Sequence, residues 1–125
     1  MLKIFLMIGT ISGAMSVMVG AFGAHALKNL LTLNERTETF ETAVKYQFYH
    51  SLALILLGLL MLREANKYFV YAGYGFIAGI IIFSGSLYIL SITGTTKWGA
   101  VTPFGGLALI IGWIMMAIGI AKSSF

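Results

Sequence analysis

The run IFLMIGTISGAMSVMVGAFGAHAL, from Ile4 to Leu27, holds no charged side chain and is bracketed by Lys3 and Lys28. A helix rising about 1.5 Å per residue needs about 20 such residues to cross about 30 Å of hydrocarbon. This stretch is therefore long enough to span a bilayer. Three more runs qualify: about Tyr46 to Leu62, between Lys45 and Arg63; about Tyr68 to Thr93; and about Thr102 to Ala121, before Lys122. Backbone groups in lipid must be satisfied inside their own segment, so each run is a helix. Pro103 fits the first turn of the fourth, where its missing N–H would have no intrahelical partner.

The rest of the chain agrees with this reading. Of its 125 residues, 59% are hydrophobic and 10% charged, with a mean hydropathy of +0.95, whereas soluble domains carry about 25% charged residues. Residues 1–125 therefore form a single transmembrane domain. The absence of cysteine removes disulfides and thiolate chemistry. The net charge of +4 is spread singly along the chain, which suits a surface of anionic lipid and not nucleic acid. Lys3 ahead of an apolar run, with Ala24-His25-Ala26 resembling a cleavage site, also permits a signal-peptide reading of the first run. Its length and its glycine pattern favour a retained span.

That pattern predicts how the helices associate. Lipid tails are as apolar as leucine, so membrane helices hold together by close van der Waals packing, which small residues allow. Gly9, Gly13, Ser16, Gly20 and Gly23 share one face of the first span. Ala72, Gly75, Gly79 and Ser86 do so in the third, and Gly105, Ala108, Gly112 and Gly119 in the fourth. The expected architecture is all-α: four antiparallel transmembrane helices in a tightly packed, glycine-rich bundle. A small-residue face left over would suit a homo-oligomer or another membrane protein.

The long connection from Lys28 to Lys45 contains Thr32-Leu33-Asn34-Glu35, which has the form of a capping box. The second helix is expected to begin near Leu33 and to project beyond the bilayer at its N-terminal end. Phe40, Val44 and Phe48 would form its apolar face, with Glu41 placed to support Lys45. Interfacial rings are Tyr46, Phe48, Tyr49 and Trp98 on one side and Tyr68, Phe69 and Tyr71 on the other, with Trp113 near mid-membrane as a packing residue. Lysine and arginine tie at four a side, Lys3, Arg63, Lys67 and Lys122 against Lys28, Arg36, Lys45 and Lys97. The amino terminus and the compact Arg63–Lys67 turn place the termini in the cytoplasm.

The unusual polar residues collect at the end opposite the termini. His25, Lys28, Gln47, His50, Tyr88 and Thr102 form the candidate cluster, either as structural ties or as a binding site. Counted inward from Lys28 and Lys45, His25 and His50 fall about 5 and 8 Å deep, so one shared hydrogen-bonded network is expected. Two histidines without cysteine or a buried carboxylate fall short of the ligands zinc needs. A bis-histidine haem has no further support, so no metal or cofactor is expected. The chain has no aspartate, and Glu35, Glu38, Glu41 and Glu64 lie in connections, which disfavours proton-coupled transport. No internal repeat and no catalytic triad is evident.

Four ordered motifs carry a resemblance. They are Gly20-Ala21-Phe22-Gly23-Ala24-His25-Ala26-Leu27, Tyr46-Gln47-Phe48-Tyr49-His50-Ser51-Leu52-Ala53-Leu54, Phe83-Ser84-Gly85-Ser86-Leu87-Tyr88 and Thr102-Pro103-Phe104-Gly105-Gly106, with Gly112-Trp113 following. With them the chain resembles the YgdD/YwdK-like family of small bacterial inner-membrane proteins, domain of unknown function family 423. The resemblance implies a multi-pass plasma-membrane protein of four helices and implies no activity. Two functional readings follow. The first is a non-enzymatic partner-binding or structural membrane protein. The second is a small-molecule or lipid-handling channel, carrier or enzyme with its site at the His25/His50 end, which requires a cavity reaching that face.

Overall fold

The computed structural model describes residues 1–125 as six α-helices: α1 (Leu2–Ala24), α2 (Lys28–Leu33), α3 (Thr37–Arg63), α4 (Lys67–Gly79), α5 (Gly85–Thr93) and α6 (Thr102–Lys122). A π-helical turn, Ile80–Ser84, fuses α4 and α5 into one continuous third span, Lys67–Thr93. A 3-10 turn, Thr96–Ala100, leads into α6. Four stretches are therefore long and apolar enough to cross a membrane, as the uncharged runs predict.

The capping-box expectation is corrected. Thr32 lies inside α2, donating its hydroxyl to the Lys28 carbonyl at 2.8 Å, and Glu35 takes a left-handed φ of 56°. That sharp turn ends α2 at Leu33, so α3 begins at Thr37 and not near Leu33. Asn34 then donates through Nδ2 to the Ser91 and Ile92 carbonyls, both at 3.1 Å, tying this connection to the end of the third span. At the opposite end Asn66 caps α4: its Oδ1 accepts from the Tyr68 and Phe69 amides. Its Nδ2 donates to the Gly119 carbonyl at 3.1 Å, fixing the third span against the fourth.

Packing divides the chain into two antiparallel pairs, α1 on α3 and α4 on α6, joined through α3 and the third span. In α1 the buried positions Phe5, Gly9, Ser12, Ser16 and Gly23 recur at helical spacing, while Ile4, Met7, Ile11 and Met18 face outward to lipid. A Cβ on Gly9 would stand 2.8 Å from the Ser51 carbonyl oxygen, and one on Gly23 would overlap the Phe40 ring. The second pair is as close. A Cβ on Gly105 would overlap the Phe83 backbone, and one on Gly119 would lie 2.6 Å from the Phe69 ring. These four glycines thus serve contacts within the chain.

Two details of the expected faces change. The buried side of α3 runs through Phe40, Ala43, Gln47, His50, Leu54, Leu57 and Met61, leaving Val44 half-buried and Phe48 exposed. Phe69, expected at the interface, is fully buried, because Gly119 opposite it leaves room for a ring. The core where the pairs meet contains Phe5, Leu54, Leu57, Phe69, Phe76 and Leu109.

Candidate functional site

The candidate polar residues do not make one network; they make separate sets at different depths. The first ties three helices. The Tyr88 hydroxyl donates to Gln47 Oε1 at 2.5 Å, and Gln47 Nε2 donates to the Ser12 carbonyl at 3.0 Å and to Ser12 Oγ at 3.3 Å. A carbonyl only accepts, so the amide orientation of Gln47 is fixed. Ser51 reaches the Gln47 carbonyl at 2.6 Å and lies 2.8 Å from Ser12 Oγ. A hydroxyl has one proton. The Ser51 donation is therefore shared between the carbonyl and Ser12 Oγ, which accepts from both Ser51 and Gln47 Nε2.

The second set joins α3 to α6. Trp113 Nε1 donates to His50 Nε2 at 3.0 Å, and His50 Nδ1 lies 2.7 Å from the Tyr46 carbonyl oxygen. An indole N–H can only donate and a carbonyl can only accept, so the imidazole is neutral with its proton on Nδ1. Phe76 closes the group, 5.0 Å from the Trp113 ring and 5.7 Å from that of His50. Further ties run from Ser84 Oγ to the Ala43 carbonyl at 2.7 Å and between the Ser86 and Thr102 hydroxyls at 2.6 Å. The polar residues of the Phe83–Tyr88 motif are therefore helix-to-helix ties. Apart from Arg36 Nε, each fully buried side-chain nitrogen or oxygen has a hydrogen-bond partner.

His25 belongs to neither set. It is exposed at the end of α1, where Gly23 packs on Phe40; His50 lies ten residues further along α3, about 15 Å at 1.5 Å per residue. This corrects the expectation of similar depth, which took Lys28 and Lys45 as markers of one plane. Lys45 instead lies along α3 beside Gly20, since the helix starts well beyond it. A separation of that order is too large for both histidines to ligate one metal ion or haem.

Lys28 and Lys45 do line one cavity. A cavity of about 410 Å³ opens between the end of α1, α2 and the start of α3. Its lining joins Gly20, Gly23, Phe40 and Val44 to the polar Lys28, Thr32, Thr37, Glu41 and Lys45. A second hollow of about 330 Å³ shares Gly20, Val44 and Lys45 and continues between α1 and α3 past Ser16, Val17, Ala21, Phe48 and Tyr49. Neither is lined by His25, Gln47 or His50. Sequence reasoning placed Lys28 in the candidate cluster but missed Gly20 and Gly23 as cavity lining. It also missed Ser12, Ser51 and Ser84 as ties. Asn66, two residues before the apolar run that opens at Tyr68, did carry a readable N-cap signal.

Four spanning helices, an interior whose polar groups bind one another, and a cleft open at one end define a multi-pass α-helical membrane protein. The chain belongs to the family described as Protein of unknown function (DUF423), which matches residues 19–106. It is 40% identical to the UPF0382 membrane protein YwdK of Bacillus subtilis over 97% of this chain and 98% of that protein. It is 41% identical to a UPF0382 membrane protein of Staphylococcus saprophyticus over 97% of this chain and 99% of that protein. With the UPF0382 inner membrane protein YgdD of Escherichia coli it shares 35% identity over 94% of this chain and 88% of the relative. No solved structure matches the chain. The relatives place it in the cell membrane.

Proposed function

We propose that this protein is a non-enzymatic binding protein of the membrane, and that it holds its ligand in the cleft between α1, α2 and α3. The observation that carries this reading is the open cavity of about 410 Å³, within the about 300–1,000 Å³ of ordinary small-molecule sites. The residues that would have to do chemistry are engaged elsewhere. His50 has both ring nitrogens bonded, and Gln47 and Tyr88 are bonded to each other. Gly9, Gly105 and Gly119 are likewise engaged in contacts within the chain, whereas Gly20 lines the open cleft. The site proposed here shares its end of the bundle with the expected His25/His50 site and rests on Lys28 and Lys45 in place of the histidines.

The test is native mass spectrometry of the protein released gently from its own membranes, wild type against Ala24→Trp. Ala24 is exposed on the cavity wall, so an indole there fills the cleft without entering a helix contact. A molecule retained by the wild type and lost in the variant supports the reading. An empty wild-type protein, or one whose bound partner is indifferent to the filled cleft, overturns it.

A further inference from the structure

The cleft has two chemically different halves, and resting on the reading just given, they identify the class of occupant. Its outer half is hydrophilic, with Lys28, Thr32, Thr37 and the single carboxylate of Glu41, and Lys45 stands beside Gly20 where the two hollows join. Its inner half is apolar and continues as the α1–α3 groove past Val17, Ala21 and Phe48. From Ala24 to Ser16 this path covers about 12 Å along α1 at 1.5 Å per residue. The two hollows share Gly20, Val44 and Lys45, and a Cβ on Gly20 would stand 3.2 Å from Val44 Cγ1. A soluble anion would use only the polar half, and a hydrocarbon only the groove. A molecule with a negative head and an apolar tail uses both.

We infer that the cleft holds one anionic glycerophospholipid, with its phosphate at Lys28 and Lys45 and one acyl chain lying over Gly20 along α1 and α3. Two lysines and one glutamate give the cleft a net charge of +1, which complements a phosphodiester carrying one negative charge. Lys45 is exposed although it lies along a spanning helix, so its ammonium can rise to headgroup level while its methylenes cover the acyl chain. Thr37 adds a hydroxyl to the lining for an ester or glycerol oxygen, while the Thr32 hydroxyl, its proton given to the Lys28 carbonyl, can only accept there. The lipid would fill the wedge that α2 holds open between the helix pair and complete the surface there.

The full-length protein is offered vesicles of equal phosphatidylcholine and phosphatidylglycerol, extracted gently, and its retained lipid identified by native mass spectrometry. Each lysine beside an anionic lipid is expected to contribute about fivefold. Wild type should therefore retain phosphatidylglycerol over phosphatidylcholine by about 25-fold. Lys28→Gln with Lys45→Gln should bring the ratio near one, and Ala21→Phe, exposed in the groove, should release both lipids. Lys28→Gln alone, with an expected loss of about fivefold, keeps the test valid if the double variant does not fold. Equal retention of the two lipids by wild type, or an enrichment unchanged in the glutamine variants, overturns the inference. So does displacement of the lipid by inorganic phosphate, which would make the polar half a site for free anions. A retained non-lipid molecule lost on filling the cleft with Ala24→Trp defeats the lipid alone, whereas an empty wild-type protein defeats the binding reading as well.

Discussion

Removing the His50 imidazole would leave the Trp113 indole N–H without an acceptor in a setting where no water replaces it. An unsatisfied buried donor costs about 1–3 kcal/mol, and lipid-embedded hydrogen bonds are worth about 0.6–1.7 kcal/mol. His50→Ala should therefore destabilise the bundle by about 1–3 kcal/mol, since it also removes ring contacts with Phe76 and Tyr46. His25→Ala, at an exposed turn, should stay within about 0.5 kcal/mol of wild type. Reversible unfolding in mixed micelles compares the two, and equal stabilities would refute the His50–Trp113 tie. The polar character of both histidines was legible in the sequence, but their separation was not. It depends on how far α3 projects beyond its partner, which only the close packing of Gly23 on Phe40 determines.

Glu64, in the turn at the other end, offers a test against pH. Its carboxylate accepts the Ser124 amide at 2.9 Å and the Ser124 hydroxyl at 2.5 Å, and these bonds hold its pKa below the ordinary 4.5. A depressed carboxylate pKa contributes stability that is present above the unfolded value and lost as pH falls through the lower folded one. Protection of the Ser124 amide from hydrogen exchange should therefore persist at neutral pH and drop once pH passes below the ordinary carboxylate range. Glu64→Ala should show no such step. A wild-type protein whose Ser124 protection ignores pH would contradict the contact.

At the scale of the helix, the glycines differ more than their even spacing suggests. Gly105 presses on the backbone of Ile82 and Phe83, where the π turn of the third span lies, and backbone cannot rotate away. Gly13 has only the Ser51 Cβ near it, at 3.8 Å. Gly105→Ala should destabilise by about 1–3 kcal/mol through overpacking. Gly13→Ala should be neutral or stabilising by up to about 1 kcal/mol, because alanine is the better helix former. Thermal unfolding of the two variants decides, and a tolerated Gly105→Ala would refute the close approach. The small-residue stripes and all four spans were readable because a 3.6-residue period and a 30 Å hydrocarbon thickness constrain sequence directly. The π turn was not, since Ile80 to Phe83 form a plain apolar run and the irregularity arises where α6 docks. The false capping box fails for a related reason: Thr32 found a helical carbonyl four residues back instead of an amide ahead.

For the molecule as a whole, the question is what keeps two helix pairs together when each already buries its own glycine seam. The joint is rich in hydrogen bonds. Gln47–Tyr88, Ser84 to Ala43 and Trp113–His50 all connect α3 to the other pair. Gln47 is the residue on which most depends, because its two amide atoms face opposite neighbours: Oε1 takes the Tyr88 proton and Nε2 reaches Ser12 of α1. Gln47→Leu removes both links at once and strands the tyrosine hydroxyl, whereas Tyr88→Phe removes only the donor and leaves Oε1 free. If the two side chains act as a unit, a second substitution adds little once the first is made. The double-mutant cycle should show a coupling of about 0.5–2 kcal/mol, with Tyr88→Phe nearly neutral in the Gln47→Leu background. Strict additivity would mean that the Gln47–Tyr88 bond does not hold the pairs together, leaving that to the apolar contact at Phe5, Phe76 and Leu109 and to the Ser84 and Trp113 ties.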